Sequence, residues 1–326
     1  MEEEFIKFDR FISKYDKFII STHESPDWDG LGSEIALFEL LNNLGKKPII
    51  INSDPTPDTF LFMDKDHNIN VLNDSFHMPD NLHEYAQFVI DTNDYDNIGA
   101  LSKILKDKVP EHFIIDHHEG NPGKTSSNFI KAEASSASEI VYNIIRHCGQ
   151  PITLQSAQAL FAGIVFDTGS FVYPKTSSET FKIAAHLVEL GVTPVYIHEK
   201  IYEQNTLPSF ELRGRILSTV EVLYGGKLIA MKLTQEMLQE TGASFAEGEP
   251  AINIPLAVKG VVASLLVKQD INGPVKVSMR TKGDINVASI AIQNGGGGHK
   301  NAAGYKSRIS FDETYKTAVK NMERFF

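Results

Sequence analysis

The sequence predicts an α/β protein, with a doubly wound, mainly parallel sheet in an N-terminal domain and a smaller α+β domain after it. In the first half, short apolar runs of strand length alternate with amphipathic helical stretches, which is typical of a parallel sheet covered on both faces. Beyond about residue 200 the pattern changes to strands joined by tight turns. The length of 326 residues accommodates two domains. We therefore predict domains at residues 1–200 and 221–326, joined by a helical linker at 201–220.

The individual elements follow from hydrophobic periodicity. One helix is predicted at residues 32–45, and two more begin at capping-box patterns, Ser136 with Glu139 and Thr176 with Glu179. A further helix is predicted at 286–293, just before the glycine run. The predicted strands cover residues 17–23, 47–52, 86–91 and 112–116 in the first half, and 227–233, 258–267 and 275–281 in the second.

Composition and charge exclude several classes of protein. The single cysteine, Cys148, excludes an internal disulfide framework and a zinc site built from several thiolates, and it indicates a reducing, cytoplasmic setting. No apolar run is long enough to span a bilayer, so no membrane partner is expected. The net charge of −11 argues against a protein that grips long duplex nucleic acid. The stretch 259–308 is locally basic, which suits either a small anionic ligand or a solvated basic face.

Ionisable residues lie at the ends of three predicted parallel strands. The carboxyl ends of such strands converge on one crevice, so residues far apart in sequence are expected to meet there. Without a cation these carboxylates would repel one another and would be costly to bury, whereas one or two divalent ions would neutralise their charge. A lone aspartate at a strand end is more often a turn or helix cap, and a lone histidine is as often an ordinary polar residue, but the joint occurrence of these residues favours a metal site. The residues are His23, Asp27 and Asp29 after the first strand, Asp91 at the third, and Asp116, His117 and His118 at the fourth.

The types of ligand narrow the choice of metal. Carboxylate and imidazole groups without thiolates favour Mn²⁺ or Mg²⁺ over structural zinc, and the imidazoles favour Mn²⁺. The His-x3-Asp-x-Asp spacing after the first strand allows three ligands to turn inward from one tight loop, and Pro26 and Gly30 suit such a turn. A pair of such ions can activate a water molecule and hold a phosphoryl group between them.

Four segments resemble, in order and approximate spacing, the motifs of the DHH phosphoesterase family. They are HESPDWDGLGS from residue 23, DTND from residue 91, DHH from residue 116 and FDTGSF from residue 166. The stretch VSMRTKGDINVASIAIQNGGGGHKNAAG, residues 277–304, resembles the DHH-associated C-terminal domain. The resemblance covers nearly the whole chain. In its length the chain is similar to the small nanoRNase and pAp-phosphatase branch rather than to the larger RecJ exonucleases.

The resemblance implies a role for individual residues in the metal site. Asp91 matches the bridge between two ions, His118 the neighbour that faces the scissile phosphate, and Asp116 a carboxylate that orients the histidines. The second motif departs from the pattern common in this branch, because Asn93 replaces a serine and Asn97 an arginine. That second change leaves open whether this loop contacts phosphate. The implied metal ligands are His23, Asp27, Asp29, Asp91, His117 and Asp167.

The second domain is expected to hold the nonscissile end of the substrate. Glycines allow backbone N–H groups to approach a ligand closely, and the glycine run matches the family's substrate loop. Arg280 can contact a phosphate through two donors at once. The expected substrate contacts are Arg280, Asn286, Gly295, Gly296, Gly297, Gly298, His299 and Lys300.

The expected function is hydrolysis of short oligoribonucleotides, such as pApA, and of pAp to AMP and phosphate. The reaction would take place in the interdomain cleft, by attack of metal-activated water on phosphorus. Two divalent ions are expected, Mn²⁺ before Mg²⁺ or Co²⁺, and a homodimer is compatible with this function.

Three alternatives remain open at this point. One is a phosphodiesterase for cyclic dinucleotides such as c-di-AMP, and another is a non-catalytic nucleotide-binding regulator. Family II inorganic pyrophosphatases and exopolyphosphatases share the N-terminal motifs, but the GGGGH run argues against them.

Overall fold

A computed structural model describes residues 2–73, 75–119, 128–271 and 273–326. The chain divides into two compact units, residues 1–204 and 205–326. This division falls within the predicted linker at 201–220. Residues Leu207–Ser218 form a helix whose Leu212 and Ile216 are buried in a core of the second unit, so this segment is part of that unit. No helix in the described ranges is long and apolar enough to cross a membrane.

The first unit is built on a six-stranded sheet in which every pair of neighbouring strands runs parallel. The strands are β1 (Lys17–Thr22), β2 (Lys47–Asn52), β3 (Ile69–Val71), β4 (Tyr85–Ile90), β5 (His112–Asp116) and β6 (Asn128–Ile130). Their order is β3-β2-β1-β4-β5-β6, so the direction of winding reverses between β1 and β4. This topological switch point is where open α/β sheets bind ligands.

Helices cover both faces of this sheet. They are α1 (Glu2–Lys14), α2 (Trp28–Asn43), α3 (Ala100–Leu105), α4 (Ala137–His147), α5 (Leu154–Asp167), α6 (Ser178–Glu189) and α7 (Pro194–Tyr202). Phe18 and Phe113 face the core that α1, α2, α4 and α5 fill, whereas Ile19 and Ile114 face a smaller core completed by α3. Burial on both faces explains why the strands are continuously apolar, and the predicted doubly wound fold is confirmed.

Helix α2 begins at Trp28, four residues before its predicted start. The side chain of Asp27 caps it, because Asp27 Oδ1 accepts hydrogen bonds from the backbone N–H groups of Asp29 (3.0 Å) and Gly30 (3.1 Å). Asp29 therefore lies in the first helical turn, and the prediction of a tight loop through this residue was wrong.

The two predicted capping boxes form only in part. Ser136 caps α4 through the N–H of Glu139 (3.1 Å) as predicted, but the Glu139 carboxylate accepts from the hydroxyls of Ser135 (2.7 Å) and Thr180 (2.9 Å). Helix α6 is capped by Ser177, in a box with Thr180, one residue after the predicted cap Thr176.

The second unit contains a mixed six-stranded sheet, in the order β11-β12-β10-β9-β8-β7. Only β8 and β9 pair in parallel. The strands are β7 (Glu221–Leu223), β8 (Leu228–Leu233), β9 (Ala263–Gln269), β10 (Val275–Thr281), β11 (Gly297–His299) and β12 (Ala302–Ser307). The helices are α8 (Leu207–Ser218), α9 (Gln235–Thr241), α10 (Ala288–Gln293) and α11 (Phe311–Met322). This arrangement confirms the predicted α+β class.

The two faces of the second sheet differ. Helices α10 and α11 pack on one face, where Val277 and Met279 are buried beside Ile290 and Tyr315. Helices α8 and α9 cover part of the other face, over β8 and β9. Short 3₁₀ segments complete the chain at Asp58–Phe60, Leu82–Glu84, Tyr95–Ile98, Tyr224–Gly226, Ala246–Ala257 and Glu323–Phe325.

Candidate metal centre

The predicted acidic and histidine residues converge at the carboxyl edge of the first sheet. They form three overlapping groups of three, and within each group the potential ligand atoms lie within 4.8 Å of one another. All six ligands implied by the family resemblance take part, together with His118. The groups are His23–Asp27–Asp91, Asp91–His117–His118 and Asp29–His117–Asp167.

Asp91 lies at the middle of this cluster. Its Oδ2 is 3.6 Å from His23 Nε2, and its Oδ1 is 3.4 Å from His117 Nε2, so the two carboxylate oxygens face two histidines at the ends of different strands. Asp91 is 3% exposed and has a φ of +61°, a left-handed conformation that is unfavourable for a residue with a β-carbon. Its backbone N–H donates to the Ile115 carbonyl (2.9 Å), which fixes this strained residue against β5.

Asp29 and Asp167 reach His117 from two helices. His117 Nε2 lies 2.9 Å from Asp167 Oδ2 and 3.9 Å from Asp29 Oδ2. Asp29 is fully buried, and its two oxygens accept from the backbone N–H groups of Ala137 (2.6 Å) and Ser138 (2.9 Å), in the first turn of α4. A helix N-terminus stabilises negative charge, so α4 holds this carboxylate in place.

Asp27 has two roles in this cluster. One oxygen caps α2, while Oδ2 lies 3.8 Å from His23 Nε2. His23 Nδ1 bonds the carbonyl oxygen of Glu24 (2.8 Å), which leaves Nε2 to face the carboxylates. The helix-cap interpretation and the ligand interpretation of Asp27 are therefore compatible.

His118 differs from the other histidines of the cluster. Its Nδ1 bonds Asp116 Oδ1 (2.7 Å), and this pairing is the main reason that its pKa is raised. Asp116 is fully buried, whereas the His118 side chain is 53% exposed. With Nδ1 engaged by Asp116, the Nε2 atom of His118 is the one available to a substrate. The roles that the family resemblance implied for His118 and Asp116 stay predictions.

The electrostatics of the cluster favour a bound cation. Burial lowers the pKa of His23 and of His117, but the neighbouring carboxylates outweigh it and raise both to about 11. Burial raises the pKa of Asp29 well above its ordinary value, and repulsion from Asp91 and Asp167 adds to this effect. Such groups bind either protons or cations.

Unpartnered atoms test whether a metal fits. Among the described residues, Asp91 Oδ1 is a buried side-chain atom without a hydrogen-bond partner, and His117 Nε2 lies 2.9 Å from Asp167 Oδ2 without the alignment of a hydrogen bond. Buried polar atoms of this kind are unfavourable unless a ligand satisfies them. Together with the carboxylate and imidazole donors, they show that the site can hold divalent cations.

Two residues that sequence reasoning missed also position the cluster. Lys175 Nζ donates to the His117 carbonyl (2.8 Å). Gly163, in α5, leaves room for Asp29, because a β-carbon there would lie 2.7 Å from Asp29 Oδ1. An isolated glycine in an otherwise apolar helical run was the available signal for such a close approach.

The two positions at which the second motif differs from the common pattern, Asn93 and Asn97, carry no positive charge. Asn93 Nδ2 donates weakly to the carbonyls of His118 (3.5 Å) and Glu119 (3.3 Å). Asn97 is exposed, and its Nδ2 donates to Thr92 Oγ1 (3.1 Å). Both asparagines therefore have local hydrogen bonds within the loops around the cluster.

In the second unit, Arg280 and His299 lie in the same row of the sheet. Each pairs directly with Ala302, Arg280 from β10 and His299 from β11, so their side chains share one face. His299 is exposed. Arg280 is partly buried, which lowers its pKa, and among the described residues its only hydrogen bond is to the Met279 carbonyl (3.1 Å).

The glycine run forms part of a hairpin rather than an open loop. Gly297 and Gly298 belong to β11 with His299, and they pair with β12. A β-carbon on Gly296 would lie 2.5 Å from Tyr305 Cβ, and one on Gly298 would lie 2.5 Å from the Ala302 carbonyl. The hairpin itself therefore requires glycine at these two positions, whatever ligand it binds.

The remaining two candidates have local partners. Asn286 Oδ1 accepts from the Ala288 N–H (3.1 Å) at the start of α10, and Lys300 pairs with Asp284 (2.7 Å) on the surface. Sequence reasoning missed Asn301, whose side chain donates to Thr281 Oγ1 and to two carbonyls and so joins β12 to the turn after β10.

Comparison with known proteins places this geometry in a family. Residues 17–164 match the DHH family, N-terminal domain, and residues 225–326 match the DHHA1 domain. The bifunctional oligoribonuclease and PAP phosphatase NrnA of Thermus thermophilus is 29% identical over 92% of this chain and 87% of its own length. The cyclic-di-AMP phosphodiesterase PdeA of Listeria monocytogenes is 26% identical over 97% of this chain but 48% of its own length.

A solved structure extends the similarity to the whole chain. The crystal structure of an exopolyphosphatase-related protein from Bacteroides fragilis superposes with a TM-score of 0.91 and 25% identity, over 100% of this chain and 97% of that one. The two domain matches occur in the order in which the catalytic and associated motifs were found in the sequence. The chain thus contains a DHH-family N-terminal domain followed by a DHHA1 domain.

Proposed function

We propose that this protein is a metal-dependent phosphoesterase that hydrolyses short oligoribonucleotides, such as pApA, and pAp to AMP and phosphate. The observation that carries the proposal is the position of Asp91, whose two oxygens face His23 and His117 at the centre of a cluster of carboxylates and imidazoles. The similarity to NrnA over most of both chains supports this substrate class. The net charge of −11 favours short ligands over long duplexes.

We assign two divalent ions to the cluster, with Mn²⁺ as the physiological metal. His23, Asp27 and Asp91 would hold one ion, and Asp29, Asp91, His117 and Asp167 the other. Bound ions of this kind supply an activated water and neutralise the charge that develops on a phosphoryl group. Imidazole ligands beside carboxylates favour Mn²⁺ over Mg²⁺.

The chain's own groups orient the substrate. Asp116 holds the His118 ring through Nδ1, so that Nε2 can donate to a phosphoryl oxygen or to the leaving oxygen. Arg280 and His299, which share one face of the second sheet, would contact the nonscissile phosphate, sugar or base, beside the glycine hairpin of Gly295–Gly298. Asn286 and Lys300 are assigned to the edge of this substrate-binding surface.

Parallel hydrolysis assays test the proposal. Purified protein is incubated with pAp, pApA and c-di-AMP in the presence of Mn²⁺, Mg²⁺, Co²⁺ or EDTA. We expect turnover of pApA and pAp that requires a divalent ion, and a loss of at least roughly 100-fold in Asp91→Asn, since even groups that only support metal ligands contribute about 10- to 100-fold. The control Asp80→Asn removes an exposed carboxylate and should retain full activity. Absence of turnover of all three substrates would overturn the proposal.

A cyclic dinucleotide phosphodiesterase is the second candidate, because PdeA matches over 97% of this chain. Faster hydrolysis of c-di-AMP than of pApA at matched concentrations would favour it. Nucleotide binding without hydrolysis in the presence of any of the three metals would instead indicate a non-catalytic regulator.

We also propose a cytoplasmic location and a homodimer. A single cysteine suits a reducing compartment. Fractionation of cells that express the protein at native level tests the location, and light scattering of the purified protein tests the dimer.

A further inference from the structure

Three lysines lie side by side across the second sheet. Lys276 on β10 pairs directly with Lys306 on β12 and with Lys268 on β9. Directly paired residues project from the same face with their β-carbons about 5 Å apart, and like charges in such positions are destabilising. We refer to Lys268, Lys276 and Lys306 as the lysine row. Its repulsion calls for a compensating anion.

A cavity of about 450 Å³ opens at the lysine row. All three lysines line it, together with Ser278 and the glycines Gly295, Gly296 and Gly304. Its volume falls within the range of small-molecule sites. The cavity is therefore large enough to admit a phosphate group and part of the nucleotide attached to it.

Charges within the second unit only partly compensate the row. Lys268 is 4% exposed and pairs with the carboxylate of Glu249, which also accepts from Ser278 Oγ (3.1 Å). Burial, together with repulsion from Lys276 and Arg280, lowers the pKa of Lys268 to about 8. Within the described ranges, Lys276 and Lys306 have no acidic partner. The centroid of the Phe245 ring lies 4.7 Å from Lys276 Nζ, within the range of a cation–π contact.

The row and the contacts assigned to Arg280 and His299 lie toward opposite ends of β10, close enough that Arg280 adds to the repulsion on Lys268. Lys276 precedes Arg280 by four residues on β10 and projects from the same face. Four residues of strand span roughly 13 Å. The two phosphates of pAp are held on a single ribose, whereas a longer oligonucleotide carries phosphates spaced far enough apart to extend along the strand from Arg280 to the row.

We propose that the lysine row is an anion subsite that takes a phosphate group of an oligonucleotide bound at Arg280 and His299. The class of ligand rests on the proposed function, but the row itself stands on its geometry. Ligands with a phosphate beyond the reach of pAp gain a contact here. The row thus contributes to selection of substrates by length.

Binding to the full-length, metal-free protein tests the subsite. EDTA prevents turnover, and calorimetry or fluorescence anisotropy gives the Kd of pApApA, ApApA and pAp at two salt concentrations. The double variant Lys276→Gln/Lys306→Gln should weaken pApApA binding at least about 10-fold and pAp binding less than about 2-fold. The salt dependence for pApApA should fall by about one to two ion equivalents. A loss confined to pApApA identifies the 5′-terminal phosphate as the ligand, and a loss shared with ApApA identifies an internal phosphate.

A matched control is the double variant Lys316→Gln/Lys320→Gln, on α11, the helix that packs on the opposite face of the sheet. It removes the same charge and should change no Kd. Glu249→Gln provides a second variant, which should tighten pApApA binding because it removes the carboxylate that competes for Lys268. Equal losses for pApApA and pAp, no loss for either, or an equal effect of the α11 control would overturn the subsite, as would a failure of the protein to bind pApApA.

Hydrolysis separates this inference from the proposed function. Turnover of pApA with Mn²⁺ but no dependence of oligonucleotide binding on the row would overturn the subsite and leave the proposed function intact. Binding of pApApA that depends on the row, without turnover of any substrate, would overturn the proposed function and leave the subsite intact.

Discussion

Gly163 lies directly against the carboxylate of Asp29, so that a β-carbon on Gly163 would stand 2.7 Å from Asp29 Oδ1 and would also collide with Ser138 Oγ. Both atoms belong to the arrangement that anchors Asp29 at the start of α4. We expect Gly163→Ala to displace Asp29 and to lower metal-dependent hydrolysis and the affinity for Mn²⁺ by about 10- to 100-fold. Steady-state kinetics over a range of Mn²⁺ concentrations measures both effects.

The control is Gly214→Ala in α8, where no atom lies within 4 Å of the added carbon. Alanine is preferred over glycine inside a helix by up to about 1 kcal/mol, so this variant should be fully active and slightly more stable. Normal activity in Gly163→Ala would show that α5 can shift without moving Asp29.

Divalent cations should stabilise the first unit. Asp29, Asp91 and Asp167 repel one another within a buried cluster, and a bound ion removes that repulsion. An ion at about 100 times its Kd adds roughly 2.7 kcal/mol. For a unit of this size we expect Tm to rise by about 5–10 °C in calorimetry with Mn²⁺. Asp91→Asn should lose most of this rise, and an equal rise in parent and variant would contradict binding at Asp91.

Glu34 should make stability depend on pH. It is fully buried on α2 and accepts from Asn52 Nδ2 (2.8 Å), and burial raises its pKa well above 4.5 even though the Asn52 bond opposes the shift. The folded state therefore binds this proton more tightly than the unfolded state does. The stability that results is present below the unfolded pKa and is lost as the pH rises toward the folded pKa.

The variant Glu34→Gln keeps an acceptor for Asn52 but cannot ionise. Its free energy of unfolding, relative to the parent, should increase as the pH rises from about 5 to about 8. Urea denaturation at several pH values measures this difference. A difference that stays constant with pH would show that Glu34 does not change protonation on unfolding.

Asn97 should tolerate replacement by the arginine that is common in this branch. Its side chain is exposed and donates one hydrogen bond, to Thr92. A guanidinium there adds a donor for phosphate, and we expect Asn97→Arg to lower KM for pAp by about 3- to 10-fold without a change in Tm. Asn93→Ser, the other departure, changes no charge and serves as the control. An unchanged KM would indicate that this loop does not contact the phosphate.

The metal cluster could be predicted from the sequence because strand ends follow a general rule. Asp91 and His117 come directly after the strands β4 and β5, and the carboxyl ends of parallel strands meet at one edge. The parallel sheet was predicted from short apolar runs that alternate with amphipathic helical stretches. Neither prediction required knowledge of a contact between distant side chains.

The start of α2 could not be read in the same way. Pro26 and Gly30 are turn residues, and they suggested a loop through Asp29. The helix starts early because the Asp27 side chain reaches two backbone N–H groups, a geometry that the sequence does not distinguish from a turn. The three-residue strands β3, β6, β7 and β11 are too short to show periodicity, so only their neighbours reveal them.

Asp27 also provides a built-in spectroscopic probe. One of its oxygens accepts from the amides of Asp29 and Gly30, while the other lies 3.8 Å from His23. A cation held by the second oxygen would fix the Asp27 side chain, and with it the two hydrogen bonds that cap the N-terminus of α2. The exchange of these two amide hydrogens with deuterium should then slow when Mn²⁺ is added, so that they report occupancy at the His23 end of the cluster without any substrate.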